Sequence, residues 1–289
     1  MKGPFGEKLV FSKKLDVKNK SQTFYFIDNK LKKMFTHIES ENICFLDSGE
    51  NLKSLEQFTK NIDFLNQGFC TRDDVLVAVG GGTITDSVGF LASTYLRGLK
   101  FICVPTTWLS AVDAGVGGKT ALNFKGFKNQ IGTIWPPHEI HYCSSLIGET
   151  TKDDSKGEVL KTLILNHNKS WATGLLKNFR FEKVKFKDLK HFVEYKTKLV
   201  KKDPNDNKGI RSVLNFGHTI GHAIELNLKL SHGEAVCYGL TFALEWSRHL
   251  ALLSEKKYKE VSKHLPSINE ISLTSKQIES SLLKDKKRT

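Results

Sequence analysis

The sequence predicts an α/β protein with a parallel sheet and crossover helices in its first half and a mostly helical second half. Two patterns carry this reading. Four short β-like runs, at 23–27, 43–46, 75–79 and 101–104, alternate with helically spaced stretches, the order that builds parallel strands joined by crossover helices. After about Ile140 the chain turns to amphipathic stretches, at 157–165, 192–202, 214–226 and 233–253, which read as helices. Pro136 and Pro137 stand near this change and are compatible with a boundary there. With 289 residues the chain is long enough to bury the core such a fold needs.

Composition narrows the class. At 39% hydrophobic and 26% charged residues the chain is globular in type, which excludes disordered, collagen-like and membrane proteins. No apolar run approaches the roughly 18 residues of a membrane span. Residues 1–14 mix Lys with Gly, Pro and Glu and contain no apolar signal-peptide stretch, so a cytoplasmic protein is expected. Cys44, Cys70, Cys103, Cys143 and Cys237 are odd in number, scattered and never in a CxxC pair, which suits ordinary core positions better than a disulfide framework or a zinc ribbon. The net charge of +13 is compatible with nucleic acid, acidic lipid or an anionic small molecule as partner, and charge alone does not choose among them. Much of it lies in helical stretches at 183–202 and 256–263, a solvated lysine-rich surface rather than a nucleic-acid groove.

The first chemical motif follows the run at 75–79, which leads into Gly80-Gly81-Gly82 and then a helical spacing from Thr85 to Tyr95. A strand, a glycine turn and a helix start bring backbone N–H groups close to a diphosphate. The GxGxxG pattern is not met, because Thr85 takes the third glycine position and no acidic residue follows about twenty residues on. A purely structural turn therefore stands beside the nucleotide site as a reading. Asp28, just past the first run, is an alternative group for an adenosine ribose. Next, the segment VDAGVGGKTALNFKGFKNQIG, from Val112 to Gly132, offers Asn123, Asn129, Lys119 and Lys128 from a glycine-rich backbone. It reads as a flexible polar loop suited to phosphate or carboxylate recognition.

In the second half, Arg211, Asn215, His218 and His222 follow one another at spacings of four, three and four, which places all of them along one face of a single helix. Glu158 and Lys161 stand three apart on an earlier helix, and His232 opens another. One carboxylate and two histidines from three elements would make a divalent-metal site with positions open to substrate oxygens.

GGGTITD, Tyr95-Leu96-Arg97-Gly98, Val104-Pro105-Thr106-Thr107, Val112-Asp113 with GVGGKTALN, Lys128-Asn129, Glu158-Val159-Leu160-Lys161, NFGHTIGHA and HGEAV together resemble the 3-dehydroquinate synthase family of sugar phosphate cyclases. The likeness runs in order from about Phe26 to Lys287. It implies a Rossmann-like NAD-binding domain over 1–146, an α-helical metal- and substrate-binding domain over 147–289, and an active site in the cleft between them. It further implies metal ligands Glu158, His218 and His232, normally for zinc with cobalt as the alternative. NAD would lie against Asp28, Glu50, Lys53, the turn from Gly80, Gly81 and Gly82 to Asp86, and Thr106 and Thr107, with Lys119 and Lys128 facing cofactor and substrate together. The substrate positions are Arg97, Asp113, Asn129, Lys161, Lys196, Arg211, Asn215 and His222. The family converts a phosphorylated seven-carbon sugar acid to a carbocycle and phosphate, as a homodimer, without nucleic-acid or membrane partners.

The sequence departs from the family pattern at several points. Residues 147–155 replace an arginine- and glutamate-rich loop, Phe127 stands where glycine is usual, the stretch between His222 and His232 is shortened, and the loop at 203–209 carries an extra residue. The family's C-terminal segment beyond the DKK-like position at 285–287 is absent, and the N-terminal arm is short. A related cyclase with another substrate, a metal-dependent alcohol oxidation releasing NADH, and a binding-only relative are the alternatives.

Overall fold

The computed structural model describes residues 1–17, 21–36, 40–147, 152–177, 179–265 and 271–284. The chain divides into two compact units, one formed by 1–150 with 196–205 and the other by 151–195 with 206–289.

The first unit is built on a six-stranded sheet. In chain order its first half contains β1 (Lys8–Ser12), β2 (Thr23–Asp28), β3 (Ile43–Leu46), α1 (Leu55–Gln67), β4 (Val75–Gly80), α2 (Gly82–Thr94) and β5 (Lys100–Pro105). A hairpin of β6 (Lys119–Phe124) and β7 (Phe127–Ile134) follows, then β8 (Glu139–Cys143). The sheet order is β1-β8-β5-β4-β2-β3, and every pairing in it is parallel. All six residues of β4 are buried, which explains its unbroken apolar run VLVAVG: a parallel strand covered on both faces has no polar side to alternate with. One face of the sheet packs Ile27, Val75, Val77, Val79, Ile102, Val104 and Cys143 into a core.

This order fixes where a ligand can approach. From β2 the chain moves outward to β3, then returns to the other side of β2 to lay down β4, β5 and β8 in succession. The carboxyl ends of β2 and β4 thus flank the point where winding reverses, the crevice in which open parallel sheets bind ligands. Asp28 ends β2 and Gly80 ends β4.

Two expectations are corrected in this unit. The segment 112–132 is not a flexible loop. After a π-helical turn at Ser110–Ala114 it becomes an antiparallel hairpin with Thr120 and Leu122 buried. Lys125 and Gly126, at φ 48° and 80°, form a two-residue turn with both φ positive, whose twist matches the flanking strands. In addition, β1 and β8 close one side of the sheet, although neither was marked as a strand by the sequence pattern. All five cysteines are free thiols, and four are buried.

The second unit is helical. It contains α3 (Lys152–Leu165), α4 (Ser170–Leu176), the first half of α5 (Leu189–Lys202), α6 (His218–Leu228), α7 (His232–His249), α8 (Glu255–Ser262) and α9 (Ser275–Lys284). The single helix expected to carry Arg211 through His222 is broken. Arg211 and Asn215 lie on a 3₁₀ segment, Ile210–Asn215, and α6 begins only at His218, after Gly217 in the left-handed region at φ 80°. The break has a packing cause. A Cβ on Gly239 of α7 would sit 1.8 Å from the Gly217 carbonyl oxygen, and one on Gly217 would meet Leu240 at 2.9 Å. The start of α6 is pressed onto α7, backbone against backbone, so a straight helix running back through Asn215 is not formed. Among the described residues no helix is long and apolar enough to cross a membrane.

Candidate active site

The three glycine contacts of the second unit lie beside three chemically important residues. Gly157 precedes Glu158, Gly217 precedes His218, and Gly233 follows His232. A Cβ on Gly157 would come within 2.7 Å of the Gly233 carbonyl oxygen and 2.6 Å of Val236 Cβ, so α3 also packs tightly against α7. The result is a cluster in which Glu158, His218 and His232 bring one ligand atom each to within 4.8 Å of one another. His218 Nε2 lies 2.6 Å and His232 Nε2 3.7 Å from the same oxygen, Glu158 Oε1. That buried oxygen has no hydrogen bond of acceptable geometry. Two imidazole nitrogens converging on an orphaned carboxylate oxygen are what a three-ligand divalent site looks like without its ion, and one carboxylate with two imidazoles suits zinc. The residues present fit a metal.

The electrostatics agree. Burial alone would raise the Glu158 carboxyl, but the Lys161 ammonium and the two imidazoles outweigh it and hold the group well below the usual carboxylate range. For His232, burial alone would lower the pKa, yet Glu158 and Glu225 raise it to about 9. Lys161, one turn along α3 and 2% exposed, donates to Glu158 Oε2 and, at 2.5 Å, to the Leu214 carbonyl oxygen. Two of its three N–H donors are thereby placed. His222 is half-buried, with its ring 5.4 Å from that of His218 and 6.2 Å from that of His232, centroid to centroid. Arg211 is buried, with Asp206 Oδ1 3.9 Å from its Nε, and Asn215 is half-buried at the end of the 3₁₀ segment.

In the first unit the residues at the sheet switch point form a separate polar network. Lys53, 4% exposed, donates to Asp86 Oδ2 at 2.7 Å and to Asn129 Oδ1 at 2.5 Å. Burial, opposed by Lys53 and reinforced by Asp113 and Glu50, raises the Asp86 carboxyl above its ordinary value. Glu50 accepts from Asn123 Nδ2 at 2.6 Å and has Lys128 Nζ 3.8 Å away, while Asn123 Oδ1 accepts from the Asn129 backbone N–H. Lys196 donates to Asp113, both to its carbonyl oxygen and, at 2.6 Å, to Oδ1. Gly81 caps α2 without a side-chain acceptor, so the first amides of that helix are open to an anion, as a diphosphate-binding turn requires. Thr107 Oγ1 accepts from the Ser110 N–H, and the Thr106 N–H donates to the Gly80 carbonyl, tying the end of β5 to this turn. Asp28 Oδ1 is engaged by the Lys30 N–H. Lys119 is exposed, and Arg97 is exposed at φ 68°. A glycine turn at the switch point with Asp28 beside it fits a dinucleotide. Within residues 147–155, which depart from the family pattern, 148–151 lie outside the described residues.

Residues 43–156 match the model for the N-terminal part of 3-dehydroquinate synthase, and residues 156–288 match that for its C-terminal part. The chain belongs to the 3-dehydroquinate synthase family. It is 34% identical over 266 residues to the 3-dehydroquinate synthase of Clostridium tetani, covering 86% of this chain and 70% of that protein. It is 36% identical over 236 residues to that of Sulfolobus acidocaldarius, covering 78% and 67%. Among solved structures, 2-deoxy-scyllo-inosose synthase, determined with carbaglucose-6-phosphate, NAD+ and Co2+, superposes with a TM-score of 0.77 at 26% identity over 92% of this chain and 80% of that one.

Sequence reasoning left some site residues unassigned. Asn123 was noticed only as a loop amide, yet it links Glu50 to Asn129. Glu225, whose Oε2 lies 2.9 Å from His232 Nδ1, is signalled in the sequence by its spacing: it stands seven residues after His218 and three after His222, on the same stripe of α6. Ser231 and Glu234 form a reciprocal cap at the start of α7, readable as S-x-x-E.

Proposed function

We propose that this protein is a 3-dehydroquinate synthase. It converts 3-deoxy-D-arabino-heptulosonate 7-phosphate to 3-dehydroquinate and phosphate, with NAD used and regenerated in each turnover and a divalent metal, zinc or else cobalt. The observation that carries the reading is the Glu158, His218 and His232 cluster with Lys161 against Glu158, in a chain that matches this family over residues 43–288. A cytoplasmic homodimer goes with the same reading.

Bound to these residues, NAD would supply a reversible hydride acceptor and the metal a Lewis acid for substrate oxygens. The chain's own groups do the rest. Glu158, His218 and His232 hold the metal, while Gly80, Gly81, Gly82, Asp28, Glu50, Lys53, Asp86, Thr106 and Thr107 hold the dinucleotide, with Lys119 and Lys128 shared with substrate. Lys161, with its remaining N–H, holds a substrate anion. Lys119 and Asn129 are suited to phosphate and carboxylate oxygens, and Arg211 grips a carboxylate with two parallel hydrogen bonds. His222 holds or moves a proton at a substrate hydroxyl. Asn215, Asp113, Lys196 and Arg97 complete the substrate set. Oxidation of a ring hydroxyl makes the neighbouring C–H acidic, and the departing phosphate can itself carry that proton, so no side chain is required as a single general base.

Another sugar phosphate cyclase activity is the second reading, supported by the likeness to 2-deoxy-scyllo-inosose synthase. The buried Arg211 favours a carboxylated substrate and so the first. The deciding experiment follows phosphate release from 3-deoxy-D-arabino-heptulosonate 7-phosphate with NAD and zinc or cobalt, reading NADH absorbance in the same cuvette. Phosphate without net NADH supports the synthase. Accumulating NADH points to alcohol oxidation, and no phosphate despite bound metal and NAD points to another cyclase substrate or a binding-only protein.

Two predictions concern the metal. His218→Ala should lose bound zinc, measured as metal per protein by atomic emission; unchanged content would remove His218 from the ligand set. Protons compete with metal for the same nitrogens. Because the carboxylates hold His232 up to about 9 against the effect of burial, metal must displace its proton at neutral pH. Apparent zinc affinity should therefore climb about tenfold per pH unit from neutrality to that value, by competition with a chelator. A flat profile would mean that His232 is not a ligand.

A further inference from the structure

We infer that Glu225 is a positioning residue of the metal centre, fixing the ring of His232 so that Nε2 faces the metal position. The inference rests on the reading of Glu158, His218 and His232 as metal ligands, and concerns what holds one of them in place. The two histidines are supported differently. His218 has its Nδ1 3.3 Å from the Phe216 carbonyl oxygen and its Nε2 2.6 Å from Glu158. His232 is the first residue of α7, and its side chain remains 24% exposed. The Ser231–Glu234 cap fixes its backbone but not the ring, which could rotate about its side-chain bonds.

Glu225 supplies the missing constraint. Its Oε2 lies 2.9 Å from His232 Nδ1. A carboxylate can only accept here, so Nδ1 carries a hydrogen whatever the charge of the ring, and Nε2 is the nitrogen that gives up its proton and offers a lone pair when a metal binds. The bond also excludes the flipped ring, which would present carbon to the Glu158 side. A carboxylate behind a ligating histidine orients the ring and strengthens it as a donor. The geometry is economical in sequence: one stripe of α6 provides His218, then His222 one turn later, then Glu225 a further turn on. The short connection through Lys229, in the left-handed conformation, to Ser231 returns the chain so that α7 starts beside Glu225.

The test uses the full chain stripped of metal and titrated with Zn2+ against a chromophoric chelator, with Co2+ absorption read on the same samples. Glu225→Ala should weaken zinc binding about 10- to 100-fold and change the cobalt visible spectrum. Glu225→Gln keeps an acceptor oxygen at the same reach and should recover part of the affinity. It also carries the test if the alanine variant fails to fold by circular dichroism. Wild-type affinity and an unchanged cobalt spectrum in a folded variant would overturn the role of Glu225. If the wild-type chain binds neither Zn2+ nor Co2+, the metal-centre reading falls, and this role with it.

Discussion

Gly239→Ala should disable the second unit. The added methyl carbon would lie 1.8 Å from the Gly217 carbonyl oxygen and 2.8 Å from the Gly221 nitrogen. Both are backbone atoms, so no side chain can turn aside, and α6 must separate from α7. Inserting a methylene into a packed core ordinarily costs about 1–3 kcal/mol. With backbone on the opposing side, a loss above about 4 kcal/mol is expected, in the range reserved for specific structural lesions. Because Gly217 adjoins His218, the same displacement should release zinc. Thermal melting and metal content measure the two effects. Gly174→Ala is the control: it lies within α4, with nothing within 4 Å of the new carbon. It should match or slightly exceed wild-type stability, since alanine is the better helix former by about 1 kcal/mol. A Gly239→Ala protein as stable as wild type would show that the helix pair has room to spare.

Lys161→Ala should abolish phosphate release while leaving the metal in place. Lys161 sits against Glu158 at 2% exposure, and its loss removes a fixed positive charge from the point where a substrate anion would be held. Removing one preorganised charge-stabilising group typically costs about 10²–10³ in kcat. Glu158 then loses its ammonium partner, but a bound divalent ion supplies the compensating charge, so metal content should stay at the wild-type level. Substantial turnover would remove Lys161 from the catalytic set. Loss of metal would show that its role is to hold Glu158 rather than substrate.

How far these features were legible in the sequence depended on whether the signal was local. The runs leading to Asp28, Leu46, Val79 and Val104 were read as strands because a buried parallel strand is a continuous apolar stretch, and each lies in the sheet. β8, EIHYC, was missed because Glu139 and His141 interrupt its apolar character. They pair with each other at 2.7 Å and are tolerated for that reason. The hairpin was missed because Lys125-Gly126 is not the usual Asn-Gly turn, and because the register shifts between Leu122 and Phe124. The break before His218 could not be read at all: Gly217 is required by Gly239, twenty-two residues away, and spacing within one segment is blind to that. The ligand set was named by resemblance, and the structure brings its three residues together. Glu225 needed the register between two helices.

The pairing of β1 with β8 sets a schedule for synthesis. Lys8 through Ser12 align with Glu139 through Cys143, so β1 has no neighbour in the sheet until some 130 further residues have been made. The central strands β2, β4 and β5 find one another much sooner, and the unit further requires 196–205 to be complete. An edge strand whose partner is supplied so late is, until then, an unpaired edge of the kind that invites mispairing with another strand.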